Sequence, residues 1–108
     1  MSTFDKREEA FEKKYALDEE QKFKATARRN RKLGTWTAEQ IGLSGAEAEA
    51  YAKSVVAADF EEAGDDDVFR KVRGDLDAKG KQSISDADIR AKMSALLAEA
   101  AAEIKAGK

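Results

Sequence analysis

Apolar and small residues in this chain recur every three or four positions in four separate stretches, the spacing of one face of an α-helix. The first stretch runs from about Asp18 to Ile41, where Phe23, Ala27, Asn30, Gly34, Thr37 and Ile41 share a face. Lys24, Arg28, Arg31 and Lys32 fall on the opposite side, with Arg29 and Trp36 at its edge. The second spans about Gly45 to Glu62, and Ala48, Tyr51, Ala52, Val55, Val56 and Phe60 are its predicted buried residues. Gly64 sits where a C-terminal cap belongs. Asp65, Asp66 and Asp67 open the third, at the end of a helix where negative charge is favourable. That helix buries Phe69, Val72 and Leu76 and stops near Gly80. Ser85 caps the fourth, whose stripe of Ile89, Met93, Leu96, Leu97, Ala100 and Ile104 follows the spacing of a bundle helix. No strand pattern, internal repeat or low-complexity tract interrupts the series. The prediction is an all-α chain, a compact four-helix bundle over residues 18–108.

Residues 1–17 follow another pattern. Phe4, Phe11 and Tyr15 fall on one helical face, spaced seven and then four residues apart. Asp5, Lys6, Arg7, Glu8, Glu9, Glu12, Lys13 and Lys14 fill most of the positions between them. One reading is an extension of the first helix. The other is an arm that is disordered alone and becomes helical when its aromatics enter a groove on a partner. Within the first helix, Gly34 costs roughly 1 kcal/mol of helix stability against Ala, so a close packing contact or a bend is expected there.

Composition narrows what such a bundle can do. Proline is absent and 39% of the residues are charged, which suits helices with small, alanine-lined cores. Cysteine is absent, which removes disulfides and thiol chemistry; histidine is absent, which removes the commonest general base and metal ligand. The expectation is a protein without catalytic activity of its own and without a metal. No apolar run is long enough to cross a bilayer and no signal peptide is visible, so a cytoplasmic location is expected.

A net charge of −2 hides strong segregation. Residues 21–38 hold six bases and no acid, whereas residues 39–67 hold nine acids and one base. Such a run is commonly a solvated helix face, but it also fits an anionic ligand. Nucleic acid is disfavoured, because the chain is net acidic and most of the aromatics lie outside the basic run. A nucleotide fits a compact patch of Arg28, Arg29, Arg31, Lys32 and Trp36 better, with Arg29 or Lys32 on phosphate and Trp36 near a base. Gly80-Lys81-Gln82-Ser83 is not a phosphate-binding loop, since it lacks the upstream glycine and follows a helix. Asp65-Asp66-Asp67 is not a calcium loop, since Val68 and Phe69 break the alternation.

The run from Phe23 to Trp36, FKATARRNRKLGTW, resembles the signature of the zeta subunit of alphaproteobacterial F-type ATP synthases. Tyr51 to Val56, Ala58 to Val72, Phe4 to Glu8 and Phe11 to Tyr15 extend the resemblance over essentially the whole chain. The resemblance implies a four-helix bundle with an inhibitory N-terminal arm, residues 1–17, that blocks ATP hydrolysis while allowing synthesis. The arm would enter a catalytic alpha/beta interface beside gamma, with Phe4, Arg7, Glu8, Phe11, Lys14 and Tyr15 as its contact residues. ADP or ATP is the implied regulatory ligand of the bundle, and no cofactor is implied. The free protein is then expected to be a monomer, peripheral to the inner membrane only through the ATP synthase. A small helical module that binds nucleotide or nucleic acid, with no ATPase target, is the competing reading.

Overall fold

The computed structural model describes residues 17–61 and 65–108. Four helices follow in order: α1 (Glu19–Gln40), α2 (Gly45–Glu61), α3 (Asp65–Ala78) and α4 (Asp86–Lys105). Among the described residues there is no strand. The helix starts have local causes. Asp18 accepts a hydrogen bond from the Gln21 N–H at 2.8 Å, and the Asp18 N–H donates back to Gln21 Oε1 at 3.2 Å. Ser85 and Asp88 make the same reciprocal pair at the start of α4, at 3.0 and 3.1 Å. Each pair satisfies donors that the first helical turn leaves open. At the other end of α1, Gly42 adopts φ +81°, which lets the Leu43 N–H turn back onto the Ala38 carbonyl at 2.9 Å.

α1 is the central helix, packed against α2, α4 and α3. Its buried residues are Ala25, Arg29, Asn30, Leu33, Gly34, Thr37 and Ala38. That sector is wider than the predicted stripe and displaced toward Arg29 and Leu33, because α2 and α4 cover α1 from two flanks. Phe23, expected on the buried face, is 60% exposed. The main core joins Leu33 to Val55, Val68, Val72, Leu76, Ile89, Met93 and Leu96, with Trp36, Ile41, Tyr51 and Phe69 packed against it. Val68 takes the fully buried place in the first turns of α3, while Phe69 lies beside it with its ring 4.1 Å from the Arg90 guanidinium. A second, smaller cluster joins Leu17 to Ala25 and Ala101, with Leu97 and Ile104 around it.

α1 and α2 approach each other closely at Gly34. A Cβ built on Gly34 would lie 2.5 Å from Ala52 Cα, so only glycine admits this crossing. The predicted contact at Gly34 is therefore the reason for a helix-weakening residue in mid-helix. Polar links tie the remaining helices. Tyr51 Oη donates to Asp75 at 2.6 Å, joining α2 to α3, with the Lys71 ammonium 3.2 Å from the same carboxylate. Arg73 donates to the Ile84 carbonyl at 2.6 Å and to Asp86 at 3.1 Å, fixing the turn between α3 and α4. Gly64, the predicted cap of α2, lies outside the described residues.

Candidate functional site

The basic residues of α1 divide among three sides of the helix. Lys32 faces α4, where its ammonium lies 2.6 Å from Glu99 and 3.0 Å from Glu103. Its hydrogen bonds to Glu99 and then Glu103 hold the Lys32 pKa above its ordinary value. The hydrogen bond from Lys32 in turn holds the Glu103 carboxyl below the usual range, with Arg28 adding to it. Arg28 lies 3.2 Å from Glu103 and also donates to the Lys108 carbonyl at 2.7 Å. Trp36 is half-buried against the core, with the Lys92 ammonium of α4 5.9 Å from its ring centre.

Arg29 points inward. It is 1% exposed, donates from Nη2 to Asp65 at 2.5 Å and from Nε to Asn30 Oδ1 at 2.7 Å. It serves as an internal tie between α1 and the start of α3. Arg31 points outward, its side chain 62% exposed and its guanidinium 3.5 Å from Glu49 on α2.

Of the predicted patch, the structure brings Arg28 and Arg31 onto one surface groove; Arg29, Lys32 and Trp36 lie elsewhere. The groove has a volume of about 390 Å³ and is lined by Ala27, Arg28, Arg31, Lys53 and Val56. Ala27 and Val56 give it an apolar floor, and the three cations come from α1 and α2 together. Lys53 was not among the predicted residues. Its signal was available: it is the one base within the acid-rich stretch of residues 39–67, carried on the face of α2 away from Ala52 and Val55. Arg28 and Arg31 are already paired with Glu103 and Glu49, so an anion in the groove would share those two cations with their carboxylates and gain Lys53 beside them.

The predicted arm residues Phe4, Arg7, Glu8, Phe11, Lys14 and Tyr15 lie outside the described residues. The description begins at Leu17, which is 7% exposed in the seam between α1 and α4. The chain therefore enters the bundle at a fixed point, beside the start of α1 and the C-terminal half of α4. No described helix is long and apolar enough to cross a membrane.

Fold and groove together define a small all-α protein with a cation-lined surface furrow and a sixteen-residue leading segment that joins the bundle at a buried leucine. The family model for ATPase inhibitor subunit zeta matches residues 1–103, and the chain belongs to that family. It is also 53% identical to a protein whose structure was solved in solution by NMR; the match covers 80% of this chain and 96% of that one, with a TM-score of 0.68. No curated protein matches the sequence. Members of the zeta family are inhibitors of an ATPase, which places this chain among regulatory proteins.

Proposed function

We propose that this chain restrains ATP hydrolysis by an F-type ATP synthase by inserting its leading segment at a catalytic alpha/beta interface near gamma. The observation that carries the reading is that the family match runs unbroken from residue 1 to residue 103, through the leading segment and the bundle alike. The physical chemistry of the segment is adequate for the task. Fully burying one large apolar side chain contributes about 1.5–3 kcal/mol, so Phe4, Phe11 and Tyr15 together supply roughly 5–9 kcal/mol. Ordering a segment on binding costs about 2–5 kcal/mol. The remainder is modest, and anchorage at Leu17 raises the effective concentration of the segment at the cleft once the bundle has bound. Arg7, Glu8 and Lys14 then set register and orientation more than affinity. This activity belongs on the cytoplasmic face of the inner membrane.

The test is removal of residues 1–16 with Leu17 retained, since Leu17 is part of the folded bundle. The truncated protein is expected to keep its helical content and thermal midpoint and to lose inhibition of hydrolysis by the cognate enzyme. Undiminished inhibition by the truncated protein at the same dose overturns the proposal.

For adenine nucleotide, the groove between α1 and α2 is the site the geometry supports best, with Arg28, Arg31 and Lys53 toward the phosphates. Titration of ADP into the isotope-labelled protein is expected to move the resonances of these residues with those of Ala27 and Val56. Lys53→Ala is expected to weaken binding about tenfold, the effect of one lost charge-assisted hydrogen bond. Shifts confined to Lys32, Trp36 and α4 would rule out the groove.

A further inference from the structure

Arg28 stands at the edge of α1, with the cation-lined groove on one flank and the end of α4 on the other. Toward α2 it lines the groove together with Arg31 and Lys53. Toward α4 its Nη1 donates to Glu103 at 3.2 Å and its Nη2 to the Lys108 carbonyl at 2.7 Å. Those two bonds tie the last turn of α4, and the residues after it, to α1. The same stretch of α4 forms one wall of the seat of Leu17. Ala101, two residues before Glu103, is fully buried in one cluster with Leu17 and Ala25, and Leu97 and Ile104 pack around them. Ala25 precedes Arg28 by three residues, so the two lie about one helical turn apart on α1. The Arg28 guanidinium therefore holds together the two helices between which the leading segment enters the bundle.

The neighbouring bases do not bridge the groove to that seat. Arg31 pairs with Glu49 of α2, and both side chains are mostly exposed. Lys32 reaches Glu99 and the second oxygen of Glu103 from outside the groove. An anion bound in the groove draws on the Arg28 guanidinium and sets its own charge against Glu103, and both effects weaken the bonds from Arg28 to α4. Lys32 still holds Glu103 at 3.0 Å, so α4 stays docked and the loosening is confined to its last turn and the Leu17 seat. We infer that Arg28 couples the groove to the seat of Leu17, so that a phosphate-bearing ligand in the groove loosens the root of the leading segment. The coupling rests on the reading of the groove as an anion site and adds its regulation. Without the anion the root is held; with it the root is eased from the α1–α4 seam. Coupling between two sites is reciprocal. A partner that captures the leading segment and draws Leu17 outward therefore frees Arg28 and raises affinity for the ligand.

ADP titrated into the full chain, methyl-labelled at alanine, valine, leucine and isoleucine, tests the coupling by NMR. Ala27 and Val56 report the groove, and Leu17, Ala101 and Ile104 report the seat. Both sets are expected to move with one midpoint, and ligand-free Arg28→Gln is expected to carry the seat resonances in the same direction. Glu103→Gln releases Arg28 from its carboxylate and is expected to tighten ADP about two- to fivefold, the range of a part-exposed ion pair. Glu99→Gln removes an equal charge that is paired with Lys32 and not with Arg28, and is expected to leave the affinity unchanged. Seat resonances that stay in place in Arg28→Gln, or under ADP while Ala27 and Val56 move, overturn the coupling and leave the groove standing. Equal tightening by Glu103→Gln and Glu99→Gln overturns it as well, since charge alone then accounts for the effect. Absence of shifts at Ala27 and Val56 overturns the groove and the coupling with it.

Discussion

Replacing Gly34 with alanine sets two effects against each other, and the structure decides between them. Alanine is the better helix former by about 0.8–1.0 kcal/mol, so on an exposed helix face the change would stabilise. Here the new methyl would stand 2.5 Å from Ala52 Cα, 0.9 Å short of the 3.4 Å at which ordinary contact begins. The obstructing atom is backbone, so no side-chain rotation relieves it, and α1 and α2 must move apart. Overpacking of this kind costs typically about 1–3 kcal/mol, and a backbone clash belongs at the upper end. Net destabilisation of about 2 kcal/mol is expected. In a chain of 108 residues that corresponds to a fall in thermal midpoint of roughly 8–16 °C. Urea unfolding followed by circular dichroism would measure it, with the denaturant slope unchanged if only the crossing is affected. A second variant sharpens the test. Ala52→Gly removes the neighbouring methyl, 3.1 Å from the new one, but leaves Ala52 Cα in place, so the double variant should not be rescued. A midpoint for Gly34→Ala at or above that of wild type, or full rescue by Ala52→Gly, would refute the close crossing.

Two further outcomes follow from the packing and the ion pairs. Leu76→Ala, at a fully buried position of the main core, is expected to destabilise by about 2–5 kcal/mol, read from the same urea curves. For the Lys32–Glu103 pair, the lowered Glu103 pKa means that its contribution is present above about 4.5 and lost as pH falls through the folded value. The raised Lys32 pKa means that its contribution is present below about 10.5 and lost as pH rises through the folded value. The difference in midpoint between wild type and Lys32→Ala should therefore be flat across neutral pH and shrink at both extremes.

The number, order and approximate limits of the helices were legible because each carries its own local signals. Ser85 with Asp88 announces α4, and Ile89, Met93, Leu96 and Ala100 mark its inner face without reference to any other helix. The facing of α1 was harder to read. A helix covered on two flanks buries a broad sector, and small residues such as Ala25 and Ala38 belong to it as fully as Leu33 does. Phe23 drew the predicted stripe toward itself because it is large and aromatic, yet it is exposed. Arg29 shows the limit most clearly. In the sequence it is one base in a basic run, and its partner Asp65 is 36 residues away in a run of three similar aspartates. Only the meeting of α1 with the start of α3 distinguishes that aspartate from its neighbours. The groove was half legible for the same reason, since Arg28 and Arg31 share a helix whereas Lys53 arrives from another.

The burial of Leu17 fixes the point at which the preceding residues meet the bundle. Thirteen α-carbon steps separate Phe4 from Leu17, a span of at most about 43–47 Å fully extended and about 20 Å if helical. Whatever surface Phe4 touches must lie within that radius of the α1–α4 seam. The position of the bundle on any larger assembly thereby bounds the surface that those residues could reach.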